Sequence, residues 1–550
     1  MHGLMQETPL LIPSLLDYAA RYHGGTPILS RTADGVVHHS SWAQIEARSK
    51  QLAQALLGMG VKSGDRIATL AWNTHRHLEL YYAVSGIGAV LHTVNPRLFP
   101  EQIEYIVNHA EDTLLFLDPT FVPLVQKLAP ALRSVQKLIL LATSEQTQAA
   151  QASLPGLLCY DALLAGHSPK WSWPELSESQ ASSLCYTSGT TGNPKGVLYS
   201  HRSTVLHAWA SCAADSLALS SQDSVLLIVP MFHASGWGVP YSAAMCGAQL
   251  VLPGPHLDGK SLCELLRLGE CTLSLGVPTV WLNFLAHLEQ HPGERPAHLK
   301  KILIGGSAAP RALIERLQNE VGARVVHLWG MTETSPIGTC AALPRMLRNV
   351  TPAERLELQL KQGRALYGVD MKITDDAGQE LPRDGKAFGV VKVRGPWVAQ
   401  RYFKDEGGPI VDEEGYFATG DVAMLDGHGY MQITDRAKDV IKSGGEWISS
   451  IDLENAALLH PGVAEAAVIG VAHPVWQERP LMVVIRKPGA DVTAESLLTL
   501  LKGKVAKWWL PDDIVFVSEL PHTATGKLHK LKLREQFAGY QLPLREHQRD

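Results

Sequence analysis

The chain has 550 residues, more than a single hydrophobic core usually serves, so several domains are expected. Hydrophobic residues make up 45% and charged residues 19%, which excludes a chain that is disordered over most of its length. The net charge is −5, from 49 basic and 54 acidic residues, and this balance gives no electrostatic argument for binding nucleic acid.

The cysteines and the apolar segments indicate the compartment. The seven cysteines are scattered and none forms a CxxC pair, which argues against a structural zinc site and suits reduced thiols. The first 25 residues lack the basic region, apolar run and cleavage site of a signal peptide. No uncharged apolar run of about 18 residues occurs, so no transmembrane segment is expected. We therefore predict a cytoplasmic protein.

The first 340 residues alternate helix-like and strand-like segments. Residues 41–44 resemble a capping box, and the apolar residues that follow recur at helical spacing until Gly58 and Gly60. This alternation predicts layered α/β subdomains with largely parallel sheets. The predicted strands are 66–72, 89–94, 114–117, 137–141, 225–229 and 301–304.

The pattern changes after about residue 365. Three Asp-x-x-Gly turns, at 375–378, 412–415 and 426–429, with shorter strands between them indicate a β-rich subdomain at about 365–434. A final unit begins near residue 435, with predicted strands at 464–471, 481–486 and 514–517 and a helix at 494–505. Its length of roughly 110 residues is enough for a small α+β domain to fold as a unit.

Residues 186–196, YTSGTTGNPKG, combine glycines, hydroxyl side chains and one lysine. Glycines let backbone N–H groups approach a polyanion, hydroxyl groups donate to its oxygens, and Lys195 adds positive charge. The segment does not follow the Walker pattern, because Pro194 stands where glycine is required and no Ser or Thr follows the lysine. We therefore predict a phosphate-binding loop of another kind, between two structured elements.

This loop resembles the signature of the adenylate-forming (ANL) superfamily, which includes acyl-CoA synthetases, peptide-synthetase adenylation domains and firefly-type luciferases. Four further segments resemble its motifs in the expected order: WGMTE at 329–333, TGD at 419–421, DRAKDVIKSGG at 435–445 and PHTATGK at 521–527. Two more segments, 229–241 and 442–454, are similar to bacterial fatty acyl-CoA synthetases. The implied fold class is α/β, with a large N-terminal domain at 1–434, a hinge at 435–438 and a small mobile α+β domain at 439–550.

The resemblance implies a fatty acid–CoA ligase that uses ATP, Mg²⁺ and coenzyme A. A medium- or long-chain fatty acid would form acyl-AMP, and the thiol of coenzyme A would then displace AMP. Two alternatives stay open: ligation of a short or sulfur-containing acid such as 3-methylthiopropionate, and transfer of the acyl group to a carrier protein. The resemblance also implies a homodimer, and it leaves transient contact with a membrane surface open.

The superfamily pattern assigns catalytic roles to Lys527, Glu333 and Thr187. Lys527 would bridge the substrate carboxylate and the α-phosphate, while Glu333 and Thr187 would be the metal contacts, because Mg²⁺ prefers hard oxygen ligands. The presence of Glu333, Asp421 and Lys527 argues against an acyl-AMP-binding or regulatory protein without activity. Segment 229–241 in turn favours a ligase over a luciferase-like oxygenase.

The remaining assignments concern the nucleotide, the acid and the domain motion. Asp421 would accept hydrogen bonds from the ribose hydroxyls and Arg436 would donate to the same ribose, while Trp329 would stack on adenine. Lys438 would be the hinge residue, and Trp237 with His233 would gate an acyl tunnel. Further nucleotide-binding residues are expected at Ser188, Gly189, Thr190, Thr191, Gly192, Lys195, Gly306, Ser307, Gly330, Met331, Thr332, Lys442 and Trp447, and pantetheine-tunnel residues at Gly444, Gly445 and Glu446.

One pair of histidines is not explained by the resemblance to the superfamily. His287 and His291 stand four residues apart, as metal-binding histidines do on a helix, but the acidic residue of the HExxH motif is missing. We interpret this pair as part of a helix surface.

Overall fold

The computed structural model describes residues 1, 3–187, 193–443, 446–522 and 528–543. The chain divides into two compact units. The first comprises Met1–Asp370 and Arg394–Phe417, and the second comprises Met371–Val393 and Ala418–Asp550. The predicted hinge at 435–438 lies inside the second unit, so the domain boundaries inferred from the sequence stay predictions.

The strands follow the apolar runs of the sequence closely. The strands are β1 (Pro27–Arg31), β2 (Val37–Ser41), β3 (Arg66–Leu70), β4 (Val90–Thr93), β5 (Leu114–Leu117), β6 (Lys137–Leu140), β7 (Leu158–Cys159), β8 (Ala181–Tyr186), β9 (Gly196–Ser200), β10 (Ser224–Leu227), β11 (Gln249–Leu252), β12 (Leu273–Gly276), β13 (Lys301–Ile304), β14 (Arg324–Gly330), β15 (Ile337–Cys340), β16 (Arg364–Ala365), β17 (Asp370–Thr374), β18 (Phe388–Arg394), β19 (Phe417–Leu425), β20 (Met431–Arg436), β21 (Ile441–Ser443), β22 (Glu446–Ile448), β23 (Val463–His473), β24 (Gln477–Arg486) and β25 (Asp513–Phe516).

Several helices begin directly after a residue whose side chain caps them. The predicted cap at residue 41 is present, because the Ser41 side chain accepts a hydrogen bond from the backbone N–H of Gln44. The helices are α1 (Ile12–His23), α2 (Trp42–Gly58), α3 (His75–Gly86), α4 (Pro100–Ala110), α5 (Val122–Leu128), α6 (Ser144–Gln151), α7 (Tyr160–Leu164), α8 (His201–Cys212), α9 (Val239–Cys246), α10 (Gly259–Leu268), α11 (Pro278–Gln290), α12 (Arg311–Arg316), α13 (Pro352–Leu360), α14 (Ser450–Ala457), α15 (Ala494–Leu501) and α16 (Lys530–Gln536).

Two sheets form the first unit. One has nine strands in the order β16-β15-β14-β13-β12-β10-β11-β1-β2, and the other has seven in the order β7-β6-β5-β3-β4-β8-β9. Their central pairs are parallel, and all four residues of β5 are buried, as expected for strands covered on both faces. The predicted α/β class is confirmed, including the largely parallel sheets.

The parallel pairing of the nine-stranded sheet positions the site. Strands β10, β12, β13 and β14 are neighbours and run in the same direction, so the segments that follow them meet at one edge. Ligands of open α/β sheets bind at this carboxyl edge. Three segments that carry predicted site residues leave the sheet at this carboxyl edge: 228–238, 305–307 and 331–333.

A four-stranded sheet (β17-β18-β19-β20) and a second sheet of β21 to β25 make up most of the second unit. In each of the three predicted Asp-x-x-Gly turns, the Asp side chain accepts a hydrogen bond from the N–H two residues on. The expectation of shorter strands here is wrong, since β19 has nine residues. The predicted helix at 494–505 ends early, at Leu501, because Lys502 is extended and Gly503 has a φ of +86°.

None of the helices in the described part of the chain has the length and apolar character needed to span a membrane. All seven cysteines are free thiols, in keeping with the expectation from their spacing.

Candidate active site

The predicted phosphate loop joins β8 to β9, which pair as an antiparallel hairpin. Its base is closed by two hydrogen bonds: the Thr187 N–H donates to the Lys195 carbonyl at 2.9 Å, and the Lys195 N–H donates to Thr187 Oγ1 at 3.2 Å. Both residues are therefore held at the mouth of the hairpin. The predicted residues Ser188, Gly189, Thr190, Thr191 and Gly192 lie outside the described residues.

Glu333 lies in a short 3-10 turn directly after β14, and only 5% of its surface is exposed. The Tyr402 hydroxyl donates a hydrogen bond to Glu333 Oε1 at 2.8 Å. The Lys195 ammonium lies 4.8 Å from the centre of the Tyr402 ring, a cation–π contact. These contacts link Thr187, Lys195, Tyr402 and Glu333, which we call the carboxylate cluster.

Tyr402 is a member of the cluster that the sequence did not single out. Burial and the adjacent Glu333 carboxylate raise the pKa of Tyr402 well above its usual value, so the phenol stays protonated and donates to the carboxylate. The Thr332 carbonyl is fixed in a similar way by the Tyr199 hydroxyl, at 2.7 Å. Two phenols therefore orient the loop that carries Glu333.

The backbone around the WGMTE segment is tightly packed. A Cβ atom on Gly330 would lie 2.0 Å from the carbonyl oxygen of Pro336, so no larger residue fits there. The Trp329 ring is buried over Gly338, where an added Cβ would lie 2.4 Å from it. Met331 accepts a hydrogen bond from the Thr334 N–H through its carbonyl. Adenine stacking by Trp329 stays a prediction.

Gly305, Gly306 and Ser307 follow β13 at the carboxyl edge of the sheet. Gly306 has a φ of +83°, which favours glycine. A Cβ atom on Gly305 would lie 2.8 Å from Cη2 of Trp237, so the indole packs directly on this glycine. The predicted gate residue and the predicted nucleotide loop are therefore in contact.

The segment that carries Trp237 has an unusual backbone. Five successive residues, from Ala234 to Gly238, have φ between +38° and +73°. Non-glycine residues in this region cost of order 1–3 kcal/mol each, so the surrounding structure must hold the segment in place. Its start is fixed by the Met231 N–H, which donates to Asn73 Oδ1 at 2.7 Å, and His233 directly precedes it.

His207, on α8, supports the other end of this segment and was not singled out from the sequence. A Cβ atom on Gly238 would lie 2.6 Å from its imidazole, and its Nε2 accepts a hydrogen bond from the Ile337 N–H at 3.1 Å. Burial lowers the pKa of His207 to about 3, so the ring stays neutral and serves as an acceptor.

In the second unit, Asp421 and Arg436 face each other across β19 and β20. Arg436 Nε lies 2.9 Å from Asp421 Oδ1, and the Asp421 side chain is 5% exposed while that of Arg436 is 44% exposed. The two residues expected to bind the ribose therefore lie side by side.

The other predicted residues of the second unit lie in turns and in a hairpin. Lys438 lies in the turn after β20, and burial lowers its pKa. Lys442 and Trp447 face each other across β21 and β22, with the ammonium 5.6 Å from the ring centre. Gly444, Gly445 and Lys527 lie outside the described residues, as does the side chain of Glu446.

A second buried group surrounds the turn that contains Lys438. Lys530 Nζ lies 2.7 Å from Glu454 Oε1, and the Lys530 ammonium also contacts the Ser450 hydroxyl. The Ser450 N–H donates to Asp435 Oδ2 at 2.7 Å. We call Asp435, Ser450, Glu454 and Lys530 the C-terminal clamp, because they tie α16 to α14 and to the end of β20.

Comparison with known proteins places these features in a family. Residues 16–403 match the model described as AMP-binding enzyme, and residues 452–527 match the AMP-binding enzyme C-terminal domain. The chain is 50% identical to a 3-methylmercaptopropionyl-CoA ligase of Ruegeria lacuscaerulensis, over 98% of this chain and 99% of that protein. It is 47% identical to a medium-chain-fatty-acid–CoA ligase of Ectopseudomonas oleovorans, over 98% of both.

A further relative and a solved structure extend the comparison. A long-chain-fatty-acid–CoA ligase of Thermus thermophilus is 44% identical, over 98% of this chain and 97% of that protein. The crystal structure of the anthranilate CoA ligase AuaEII in complex with anthranoyl-AMP superposes with a TM-score of 0.83 at 23% identity, over 97% of this chain and 99% of that one.

Proposed function

We propose that this chain, which belongs to the AMP-binding enzyme family, is an AMP-forming acyl-CoA ligase. A carboxylate attacks the α-phosphate of ATP, which gives acyl-AMP and pyrophosphate. The thiol of coenzyme A then attacks the acyl carbon, and AMP leaves. The match to both family models supports this proposal, and the observation that carries it is the carboxylate cluster at the base of the phosphate hairpin.

The cluster fits a magnesium ion shared with ATP. Its donors are the carboxylate of Glu333 and the hydroxyl of Thr187, which are the hard oxygen ligands that Mg²⁺ prefers. When bound, the cation would offset negative charge on the phosphate oxygens. Tyr402 keeps the Glu333 carboxylate in one orientation, and Lys195 places a positive charge over the Tyr402 ring.

The other residues of the chain have binding and positioning roles in this proposal. Asp421 and Arg436 bind the ribose, while Gly306 and Ser307 border the adenine. Lys527 contacts the carboxylate and the α-phosphate in the first step, where charge develops and a cationic donor has its largest effect. The homodimer and the motion about Lys438 stay predictions.

The acid we propose is a medium- or long-chain fatty acid. Relatives that act on such acids are 47% and 44% identical to this chain. Trp237, packed on Gly305 and preceded by His233, gates the acid site, and His207 lies beneath Gly238. Each buried methylene contributes about 0.8 kcal/mol, so the depth of this site sets the preferred chain length.

A second candidate substrate is 3-methylthiopropionate. It is favoured because two 3-methylmercaptopropionyl-CoA ligases are each 50% identical to this chain, more than either fatty-acid ligase above. This acid would require the same chemistry and a shorter acid site.

The experiment that tests the function is AMP release from ATP with Mg²⁺ and coenzyme A. The acids tested are 3-methylthiopropionate and a series of fatty acids from about two to about eighteen carbons. The series is informative because each buried methylene contributes about 0.8 kcal/mol to binding. We expect coenzyme-A-dependent AMP release with an optimum at medium or long chains. Activity confined to the short or thioether acid would support the second candidate. Acyl-AMP formation without thioester formation would contradict a CoA ligase and favour a carrier protein as acceptor.

The role of Lys527 is tested by separating the two half-reactions. We expect Lys527→Ala to lower acyl-AMP formation by roughly 10²–10³-fold, while thioester formation from supplied acyl-AMP is largely retained. Lys487→Ala, which changes an exposed lysine of the same unit, is the matched control. Equal loss of both half-reactions in Lys527→Ala would contradict this role.

A further inference from the structure

Helices α10 and α11 of the first unit come unusually close at the start of α10. Gly259 is the first residue of α10, and a Cβ atom there would lie 2.4 Å from Cβ of His287 and 3.0 Å from the Asn283 carbonyl oxygen. The absence of a side chain at 259 therefore allows the backbone of α10 to contact α11. This contact uses none of the residues of the carboxylate cluster.

Three metal-ligating side chains converge at this contact. Cys263 lies one turn after Gly259 on the same face of α10, because residues four apart are neighbours on a helix. His287 Nε2 lies 2.8 Å from Glu294 Oε2, in the short turn that follows α11. The Cys263 sulfur, a ring nitrogen of His287 and a carboxylate oxygen of Glu294 all lie within 4.8 Å of one another.

We propose that Cys263, His287 and Glu294 bind a divalent cation of the zinc class. A thiolate, an imidazole and a carboxylate are the donor types that Zn²⁺ takes, whereas Mg²⁺ and Ca²⁺ prefer oxygen ligands alone. Three protein ligands leave one position of a tetrahedral site for water. The His291 ring stacks on that of His287, with ring centres 4.4 Å apart.

Core packing holds Cys263 in place, and the hydrogen bond with Glu294 holds the His287 ring, before any cation binds. Cys263 is fully buried and belongs to the core cluster that also contains Leu262, Phe284 and Leu288 from the two helices. These apolar contacts hold α10 and α11 together in the absence of a cation. The cation would add a link from α10 to the turn at Glu294, which is partly exposed.

Two features of the site oppose cation binding: the protonated thiol of Cys263 and the nearby positive charge of Arg267. Burial and the Glu294 carboxylate raise the pKa of Cys263 to about 11, so the cation must displace the thiol proton. Arg267 is a neighbouring cation that acts on both Cys263 and Glu294, while Glu264 adds a negative charge near Cys263.

The test is a Co²⁺ titration of the full-length chain after removal of metals with a chelator. Co²⁺ takes the place of Zn²⁺ and reports a bound thiolate through a charge-transfer band in the near ultraviolet. We expect one saturable equivalent that Zn²⁺ displaces, and loss of the band in Cys263→Ser. Cys159→Ser, which changes a partly buried cysteine elsewhere in the same unit, is the control that keeps the band. A band that is absent, or unchanged in Cys263→Ser, would overturn the proposal.

A second measurement keeps the proposal testable even if Cys263→Ser fails to fold. His287→Gln and Glu294→Gln alter partly exposed side chains, and they are expected to fold normally. A ligand that binds the folded state alone raises its stability, so Zn²⁺ should raise the Tm of the wild-type chain. We expect this rise to be lost, and the Co²⁺ affinity to fall by about tenfold or more, in both variants. An unchanged Zn²⁺ effect in both would show that the cation binds elsewhere.

Discussion

Among the buried glutamates of this chain, Glu333 of the first unit and Glu454 of the second unit are stabilised in different ways. Glu333 in the first unit accepts a hydrogen bond from the phenol of Tyr402. Glu454 in the second unit forms an ion pair with Lys530 and accepts a hydrogen bond from the Val468 N–H at 2.7 Å. A phenol orients a carboxylate without cancelling its charge, whereas an ammonium cancels it. The proposed function gives these two carboxylates different roles: Glu333 takes part in the reaction, whereas Glu454 holds the second unit together.

The ion pair of the C-terminal clamp is predicted to matter most for stability. Burial opposes the charge on Lys530, but Glu454 and Asp435 outweigh it and raise its pKa. Lys530→Met would leave Glu454 buried and unpaired, so we expect about 3–5 kcal/mol loss of stability in the second unit. Hydrogen exchange of peptides from α14 and α16 in urea measures this loss.

Two further variants make the clamp prediction sharper. Lys530→Met with Glu454→Gln removes both charges of the ion pair and leaves only Asp435 of the clamp without the ammonium, so at least half of the lost stability should return. Lys532→Met changes an exposed lysine of the same helix and should have little effect. Equal exchange in Lys530→Met and Lys532→Met would contradict a structural ion pair.

The contrasting prediction for the first unit concerns activity rather than stability. Glu333→Gln keeps the shape and the hydrogen bond from Tyr402 but removes the charge. We expect acyl-AMP formation, measured by pyrophosphate–ATP exchange, to fall by roughly 10²–10³-fold, with unfolding unchanged. Glu413→Gln, at an exposed position of the same unit, should retain activity. A destabilised but active Glu333→Gln would mean that both glutamates are structural.

Acidification is expected to separate the two regions. The folded-state pKa of His207 is lowered to about 3, so the folded chain binds no proton there while the unfolded chain binds one below its ordinary pKa. This contribution to stability is present above about pH 6.5 and is lost progressively as pH falls toward 3, by about 2 kcal/mol at pH 5. In the C-terminal clamp, burial raises the pKa of Glu454 and of Asp435, so by the same linkage their protonation does not lower the stability of the folded state as the pH falls.

Hydrogen exchange at about pH 7.5 and about pH 5, corrected for the intrinsic rates, measures the acid effect. Peptides from α8 should lose more protection than those from α16. His207→Gln supplies an acceptor that does not titrate and should reduce the loss in α8, while His77 and His201, with pKa values of about 4, still contribute. An identical pH response in His207→Gln would contradict the assignment.

The smallest expected effect is that of the phenol itself. Tyr402→Phe removes one hydrogen bond to a charged group, which contributes about 1.5–3 kcal/mol. Because the Glu333 charge stays in place, we expect the lower end of this range, about tenfold slower acyl-AMP formation. Tyr367→Phe, at a fully exposed tyrosine of the same unit, is the control. A loss as large as that in Glu333→Gln would mean that Tyr402 does more than orient the carboxylate.

The elements of the fold were largely predictable because they depend on local patterns. The strands predicted at 114–117 and 301–304 have those bounds, and the superfamily predicted from ordered motifs is confirmed by the family models. The end of α15 was missed because a single glycine, Gly503, outweighed the apolar pattern that continued beyond it.

The contacts around the motifs were not predictable, because they join residues that are far apart in the chain. Tyr402 lies 69 residues from Glu333, and Lys530 lies 76 residues from Glu454 (530 minus 454), in segments with no distinctive spacing. The same holds for Cys263 and His287, since neither residue alone indicates a ligand set. A sequence motif identifies the candidate reacting groups, whereas the residues that orient them come from distant parts of the chain and are seen only in the folded structure.

The packing of Trp237 on Gly305 has a consequence for how such a chain acquires new substrates. In the proposed function, Gly305 lies between the acid and the nucleotide, so a side chain there would push the indole toward the acid and press on the loop that continues to Gly306. A change of acid preference made at 305 would therefore be inherited together with a change in ATP affinity.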